Sequence, residues 1–149
     1  MKVAVTEFDM KLAVISDLHL GRGDSTDNFQ HDDAEFLRFL RFLEGDHERI
    51  ILLGDIYETL ESERRGEHLA EIFACQRAHR EISERIRRPE YIYIHGNHDV
   101  VAKQVFGTPL ELQLEVDGLR IHFTHGHLFE WLYTKARSLG ELIVWLSGW

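Results

Sequence analysis

The chain has 149 residues and a formal net charge of −9, from 17 lysines and arginines against 26 aspartates and glutamates. This acidic balance argues against broad binding of nucleic-acid backbones or anionic lipid, so a phosphate-bearing partner would have to be bound locally. Cys75 is the single cysteine, which excludes an intramolecular disulfide and a zinc site built from several thiolates. The N-terminal stretch carries Glu7 and Asp9 where a signal peptide needs an uninterrupted apolar run, and we therefore expect a cytoplasmic protein.

Three short apolar runs are predicted to form strands that are buried on both faces. They cover residues 12–16, 50–53 and 91–94 and are rich in β-branched or aromatic side chains. Helical patterns occupy the stretches between them. Because strands and helices alternate, we expect right-handed crossovers, a largely parallel sheet and an α/β fold that forms one domain over residues 1–149.

Two helices are predicted between these strands. The first is capped by Asp32 or Asp33 and ends near Gly45, and its apolar side chains recur at spacings of three and four: Phe36, Leu37, Leu40 and Leu43. The second is predicted as one continuous helix from about residue 64 to residue 88, where Pro89 stops it. Its predicted buried side carries Leu69, Ile72, Phe73, Ile82 and Ile86.

The last third of the chain is predicted to contain a hairpin and an apolar tail. Residues 110–116 and 119–125 flank Asp117-Gly118, a strong signal for a two-residue turn between antiparallel strands. The final run LIVWLSGW is far shorter than the roughly 20 residues of a spanning helix. The tryptophan- and leucine-rich stretch 131–149 fits core packing, or else an apolar cap or interfacial helix that would hold an acyl chain or contact the inner membrane peripherally.

Polar clusters stand at the carboxyl ends of four predicted strands. They are Asp17 with His19, Asp55 with Glu58, Asn97 with His98 and Asp99, and His125 with His127. In open α/β sheets this edge is where ligands bind, so we expect the clusters to converge on one crevice. Each cluster taken alone is compatible with ordinary turn chemistry. Their joint occurrence at successive strand ends favours a functional site.

The donor types in these clusters predict a centre of two metal ions. Carboxylate, carboxamide and imidazole groups without thiolate suit Mn²⁺, Fe²⁺ or Zn²⁺, of which Mn²⁺ is our first choice. Two neighbouring cations need a shared carboxylate to screen their repulsion, and they can clamp a phosphoryl group while activating a water molecule. Asp55 stands between the other clusters and is the natural bridge.

The stretches SDLHLG, LLGDIYE, IHGNHD and THGH, in this order and spacing, resemble the calcineurin-like metallophosphoesterase superfamily over nearly the whole chain. The resemblance implies a mixed β-sandwich flanked by helices. It also implies a set of metal ligands: Asp17, His19, Asp55, Asn97 and His125. By the same resemblance His98 is the catalytic acid, and Glu58 is the acidic partner that orients His98 and raises its pKa. Arg22 is expected either to hold a substrate phosphate as a fork or to be a solvated loop arginine.

The implied activity is hydrolysis of a phosphoester by a metal-bound hydroxide, with His98 protonating the leaving oxygen. The stretches DLHLG and GDIYE are similar to the UDP-2,3-diacylglucosamine hydrolases, which implies a lipid-linked diphosphate substrate. Those hydrolases carry arginine where His98 stands, and this difference favours the wider superfamily. Two alternatives stay open. One is a nucleotide phosphodiesterase or nuclease, although the sequence shows no basic stripe with interleaved aromatics. The other is a catalytically impaired binding module.

The superfamily pattern ends with a Gly-His-x-His pair downstream of THGH, and this sequence reaches Trp149 without it. We therefore interpret the 149 residues as the N-terminal part of a longer protein, and we interpret His127 as part of the loop after His125. Without two further imidazoles, metal is expected to be held loosely and activity to be low. The apolar C-terminal run is expected to favour self-association.

Overall fold

The computed structural model describes residues 2–4, 10–25, 27–61, 66–116 and 118–129. Six strands are present in this part of the chain: β1 (Lys2–Ala4), β2 (Leu12–Ile15), β3 (Arg49–Leu53), β4 (Tyr91–Ile94), β5 (Glu111–Val116) and β6 (Leu119–Thr124). Four α-helices and one 3₁₀ turn connect them: α1 (Asp33–Asp46), α2 (His68–Ala78), α3 (Arg80–Arg85), α4 (Ala102–Phe106) and the 3₁₀ turn Gly126–Phe129. The predicted apolar tail, residues 131–149, lies outside the described residues.

The strands form two three-stranded sheets. The first has the order β2-β3-β4 with all neighbours parallel, as the alternation of strands and helices predicts. The second has the order β1-β5-β6, in which β5 and β6 form the predicted antiparallel hairpin and β1 adds a parallel edge. The hairpin therefore belongs to a second sheet and does not extend the parallel one. The short strand β1 was not among the predicted elements.

Successive side chains of β3 point into two different hydrophobic cores. Ile50 and Leu52 are fully buried against the helices, whereas Ile51 and the partly buried Leu53 point to the opposite face, towards β5. Successive side chains of a strand point to opposite faces, so β3 is covered on both. The outcome is a mixed α/β sandwich in which helices flank one face of the parallel sheet and the hairpin sheet covers the other. The predicted fold class is confirmed.

Helix α1 follows its sequence prediction closely. Asp32 is the N-cap and accepts a hydrogen bond from the backbone N–H of Glu35 at 3.0 Å, which satisfies one of the free donors at the helix start. The four predicted apolar positions, Phe36, Leu37, Leu40 and Leu43, are all buried.

The single long helix predicted after β3 is wrong, because the structure contains two helices, α2 and α3, that meet at His79. The backbone of His79 leaves the helical region at φ −110° and ψ 53°. Its ring lies between two carboxylates, 2.8 Å from Asp33 and 3.1 Å from Asp27. Contacts with carboxylates of two other segments thus hold the residue at the break. Leu69 and Phe73, predicted on the buried side, are substantially exposed, whereas Ile72 and Ile82 are fully buried as expected.

No described helix combines the length and apolar character that crossing a bilayer requires.

Candidate metal centre

The loops that carry the polar clusters continue the pairing of the parallel strands. The N–H of Asp17 donates to the carbonyl of Gly54 at 3.1 Å, and the N–H of His19 donates to the carbonyl of Asp55 at 3.0 Å. Beyond them the N–H of Leu20 donates to Ile56 at 2.9 Å. Because the ladder extends past β2 and β3, the two loops are held side by side, and their side chains reach the same edge of the sheet.

Three of the predicted ligands have a backbone conformation that is rare for residues with a side chain. Asp17, His19 and Asp55 have φ values of 55°, 49° and 53°, and Gln30 is the only other non-glycine residue with positive φ in the described part of the chain. Such left-handed residues are costly and persist where the surrounding structure enforces them, typically at functional sites. The loops therefore store strain at the positions that aim these groups into the crevice.

Two glycines leave room for the ligands. A Cβ atom added to Gly96 would lie 2.1 Å from Oδ1 of Asp55, and one added to Gly54 would lie 2.5 Å from the ring of His125. Gly54 also has φ +80°, which favours glycine on its own account. Gly96 thus allows the loop after β4 to approach Asp55, and Gly54 allows the loop after β6 to approach the loop after β3.

The four clusters meet in an open crevice of about 480 Å³. Its lining includes every residue that the sequence analysis assigned as a metal ligand, together with His98: Asp17, His19, Asp55, Asn97, His98 and His125. Donor atoms of Asp17, His19 and Asp55 lie within 4.8 Å of one another, a spacing at which three groups can hold one cation. The fourth cluster joins them because β6 ends beside β3.

Asp55 contacts His125 through one carboxylate oxygen and the backbone of His98 through the other. Its Oδ2 is 3.2 Å from Nε2 of His125, and its Oδ1 accepts the backbone N–H of His98 at 2.9 Å. Nδ1 of His125 donates to the carbonyl oxygen of Leu53 at 2.9 Å, so Nε2 is the nitrogen that faces the crevice. Contact with Asp55 raises the pKa of His125 to about 9. Burial alone would raise the pKa of Asp55, but the His125 ring and the His98 amide lower it.

Glu58 contacts two imidazoles at once. Its Oε2 lies 2.8 Å from Nδ1 of His98 and also 2.8 Å from Nδ1 of His19. The two rings stand edge to face with centroids 4.7 Å apart. Glu58 is 2% exposed, and although burial opposes ionisation, its hydrogen bonds with His19 and His98 leave its pKa well below the usual range. The pairing of Glu58 with His98 was expected from the sequence, whereas its contact with His19 was not.

The pKa of each histidine is raised beside this shared carboxylate, although burial weighs more heavily on His98. The hydrogen bond to Glu58 is the main reason that the pKa of His19 is raised. For His98, burial lowers the pKa, but the hydrogen bond to Glu58 and the negative charges of the neighbouring carboxylates together outweigh burial, and the net shift is upward. Both directions agree with an ionised Glu58 that accepts a hydrogen bond from each Nδ1.

Asp99 ties the loops together from beneath. Its side chain is fully buried and accepts backbone N–H groups from Gly96 at 2.6 Å and Ile56 at 2.7 Å, as well as the hydroxyl of Tyr93. It therefore connects the loop after β4 to the loop after β3. Sequence reasoning assigned it only to turn chemistry, and its pattern offered no sign of these contacts.

The structure also shows where Arg22 and His127 lie, two residues whose roles the sequence left open. Arg22 is not among the described residues that line the crevice, and its guanidinium pairs with Asp24 at 3.2 Å and with Glu71 at 3.5 Å. His127, interpreted from the sequence as a loop residue, is buried in the 3₁₀ turn and forms part of the crevice wall beside His125. Burial lowers the pKa of His127 to about 4.

Comparison with known proteins identifies the family of the chain. The profile of the calcineurin-like phosphoesterase superfamily domain matches residues 10–144. A crystal structure of a conserved uncharacterized protein from Streptococcus pneumoniae TIGR4, a predicted phosphoesterase, aligns with 93% of this chain at 19% identity and a TM-score of 0.43. The chain spans 55% of the length of that protein. No curated protein matches the sequence. Since the profile covers all four clusters and most of the chain, the chain belongs to the calcineurin-like phosphoesterase superfamily.

Proposed function

We propose that the chain binds two divalent cations in the crevice and hydrolyses a phosphoester there. The observation that carries this proposal is the meeting of Asp17, His19 and Asp55, all in left-handed conformations, within 4.8 Å of one another. A strained backbone at three converging donors has no evident purpose in packing, whereas it directs the donors to a common point.

The residues present fit such a centre. Asp17, His19 and Asp55 would hold the first cation, and Asp55, Asn97 and His125 would hold the second. The fixed ring of His125 supports this assignment, because a backbone carbonyl that binds Nδ1 is a common way to aim Nε2 at a metal. All donors are oxygen or imidazole nitrogen, so Mn²⁺ is the first candidate and Fe²⁺ or Zn²⁺ are alternatives.

The chain's own residues would then divide the work of phosphoester hydrolysis. Bound cations would supply an acidified water and neutralise charge on the phosphoryl oxygens. The Asn97 amide lies in the same lining and can donate a hydrogen bond to a nonbridging oxygen. His98, held through Nδ1 by Glu58, presents Nε2 as the donor of a proton to the leaving oxygen. No side chain needs to form a covalent bond to the substrate.

Hydrolysis of a generic aryl phosphodiester by the Mn²⁺-loaded protein tests the proposal. His98→Asn should reduce turnover by about 10²–10⁴ while the metal content is retained, because His98 transfers a proton and does not bind the cations. Asp55→Asn should lose both metal and activity. Arg38→Ala is the control, since Arg38 is exposed on α1, pairs with Glu35 and is not among the residues that line the crevice. A fully loaded protein without hydrolysis would overturn the proposal in favour of a binding module.

A more specific substrate expected from the sequence is a UDP-linked diacyl sugar, which belongs to the phosphoester class. Its support is the resemblance of DLHLG and GDIYE and the apolar stretch 131–149. Hydrolysis of this compound can be compared with hydrolysis of its deacylated analogue. Faster cleavage of the acylated form would support lipid recognition, and equal rates would remove the reason to invoke it.

A further inference from the structure

We propose that Glu58 is a positioning residue for His19 as well as for His98, so that one carboxylate prepares a metal ligand and the proton donor together. The inference rests on the proposed function and extends it to the arrangement of the site's side chains before any cation binds. Its basis is the pair of 2.8 Å contacts from Oε2 of Glu58 to the two Nδ1 atoms.

The contacts define which nitrogen of each ring carries hydrogen. An ionised carboxylate only accepts hydrogen bonds, so each Nδ1 within 2.8 Å of it must carry a proton. The proton on Nδ1 leaves Nε2 of His19 as the nitrogen with a free lone pair, which is the form that binds a cation. Glu58 thus selects the ring form that the proposed centre needs at His19 and the ring orientation that proton donation needs at His98.

Further contacts fix Glu58 itself. Its Oε1 accepts the backbone N–H groups of Leu60 and Glu61, each at 2.9 Å. The carboxylate is therefore anchored to its own loop through one oxygen and serves the imidazoles mainly through the other. Because Leu60 and Glu61 can still donate to the amide oxygen of a glutamine, Glu58→Gln keeps the anchor and changes the groups that face His19 and His98.

Three variants separate the effect of side-chain geometry from the effect of charge. In Glu58→Gln the amide nitrogen faces the two rings, and a donor there favours the ring form with a bare Nδ1. Glu58→Asp retains the negative charge but is shorter by one methylene, so it cannot reach both rings from the same backbone. Glu61→Gln is the matched charge control, because Glu61 stands on the same loop and its side chain binds Asn28 instead of either imidazole.

Two measurements decide the inference, and neither depends on activity. Long-range ¹H–¹⁵N NMR of the metal-free protein should show hydrogen on Nδ1 of both His19 and His98, and this state should be lost in Glu58→Gln. Calorimetric titration with Mn²⁺ should show affinity about 10–100-fold weaker in Glu58→Gln and in Glu58→Asp, as for other residues that orient a metal ligand. Glu61→Gln and His98→Ala should keep the native affinity, since Glu58 still holds His19 in both.

Several results would overturn the inference. Unchanged Mn²⁺ affinity in Glu58→Gln alongside a lower melting temperature would reduce Glu58 to a structural role. Loss of one bound Mn²⁺ per chain in Glu58→Gln would show that Glu58 is itself a metal ligand. Equal weakening of Mn²⁺ affinity in His98→Ala and in Glu58→Gln would show that His98 is a metal ligand. If the unaltered protein binds no Mn²⁺, the proposed function fails, while the NMR measurement on the metal-free protein still decides whether Glu58 sets both ring forms.

Discussion

Replacing Gly96 with alanine adds a single methyl group at the point where two site loops touch. The new Cβ would lie 2.1 Å from Oδ1, 2.7 Å from the backbone nitrogen and 2.9 Å from Cγ of Asp55. The preferred separation of non-bonded heavy atoms is about 3.5 Å, so the closest contact falls short by about 1.4 Å. Asp55 or the loop after β4 must therefore move. The φ angle of Gly96 is not in the left-handed region, so the clash and not the backbone conformation causes the change.

The expected cost has two parts. Overpacking of a tight contact costs about 1–3 kcal/mol, which lowers the melting temperature of a chain of this size by roughly 2–12 °C. Movement of Asp55 by about 1 Å should also cost on the order of 10²-fold in hydrolysis, because the proposed bridge and the His98 amide bound to it are displaced together.

Thermal unfolding, Mn²⁺ titration and aryl phosphodiester hydrolysis should be measured on Gly96→Ala and on two controls. Gly126→Ala also changes the crevice lining, but its Cβ would meet no described atom within 4 Å, and it should resemble the unaltered protein. Gly45→Ala, inside α1 and equally free of contacts, should stabilise the fold by about 0.5–1 kcal/mol. Native stability and native Mn²⁺ affinity in Gly96→Ala would refute the reasoning.

Three other substitutions test contacts that hold the fold around the site. Asp99→Asn should destabilise the protein by about 1–3 kcal/mol in urea unfolding, because its amide nitrogen cannot accept the buried hydrogen bonds that the carboxylate accepts; an unchanged midpoint would contradict this. His79→Leu should cost a similar amount, about 1–3 kcal/mol, by leaving the largely buried Asp27 carboxylate without its ring partner, and a urea midpoint equal to that of the unaltered protein would argue against this contact. Glu44→Gln should lower stability at neutral pH, because Glu44 contributes stability only while ionised. Burial raises the pKa of Glu44, but hydrogen bonds from Arg85 and Tyr91 and the charges of the nearby arginines together outweigh burial, and the net shift is downward. That contribution is complete above the unfolded pKa of about 4.3 and is lost as the pH falls through the folded pKa, so the unfolding midpoints of Glu44→Gln and the unaltered protein should converge in acid, and a constant difference would oppose the assignment.

Much of the site could be predicted because its placement follows from local patterns. The apolar runs before Asp17, Asp55 and Asn97 are strands in the structure, and parallel strands place their carboxyl ends on one edge. The hairpin signal at Asp117-Gly118 likewise predicted the antiparallel pair of β5 and β6, and His125 directly follows β6. Residue type and position in the strand-helix order were sufficient for these conclusions.

The helix prediction failed where distant residues override local periodicity. Residues 64–88 carry a continuous helical pattern, but His79 binds Asp27 and Asp33, which are 52 and 46 residues earlier in the chain. A periodic pattern contains no information about such partners. For the same reason the sequence could not show that Arg22 pairs with Glu71, 49 residues away.

The sequence by itself determined the parallel strands β2, β3 and β4, the β5-β6 hairpin, the donor types and the strand ends at which those donors stand, because each depends on neighbouring residues and on geometry common to all sheets. Only the tertiary structure decided how the donors are aimed. The positive φ angles of Asp17, His19 and Asp55 are enforced by backbone pairing between loops. The shared carboxylate of Glu58 joins rings 39 and 40 residues away. Contacts over such separations form only when the whole chain packs, so they are properties of the fold and not of any short stretch within it.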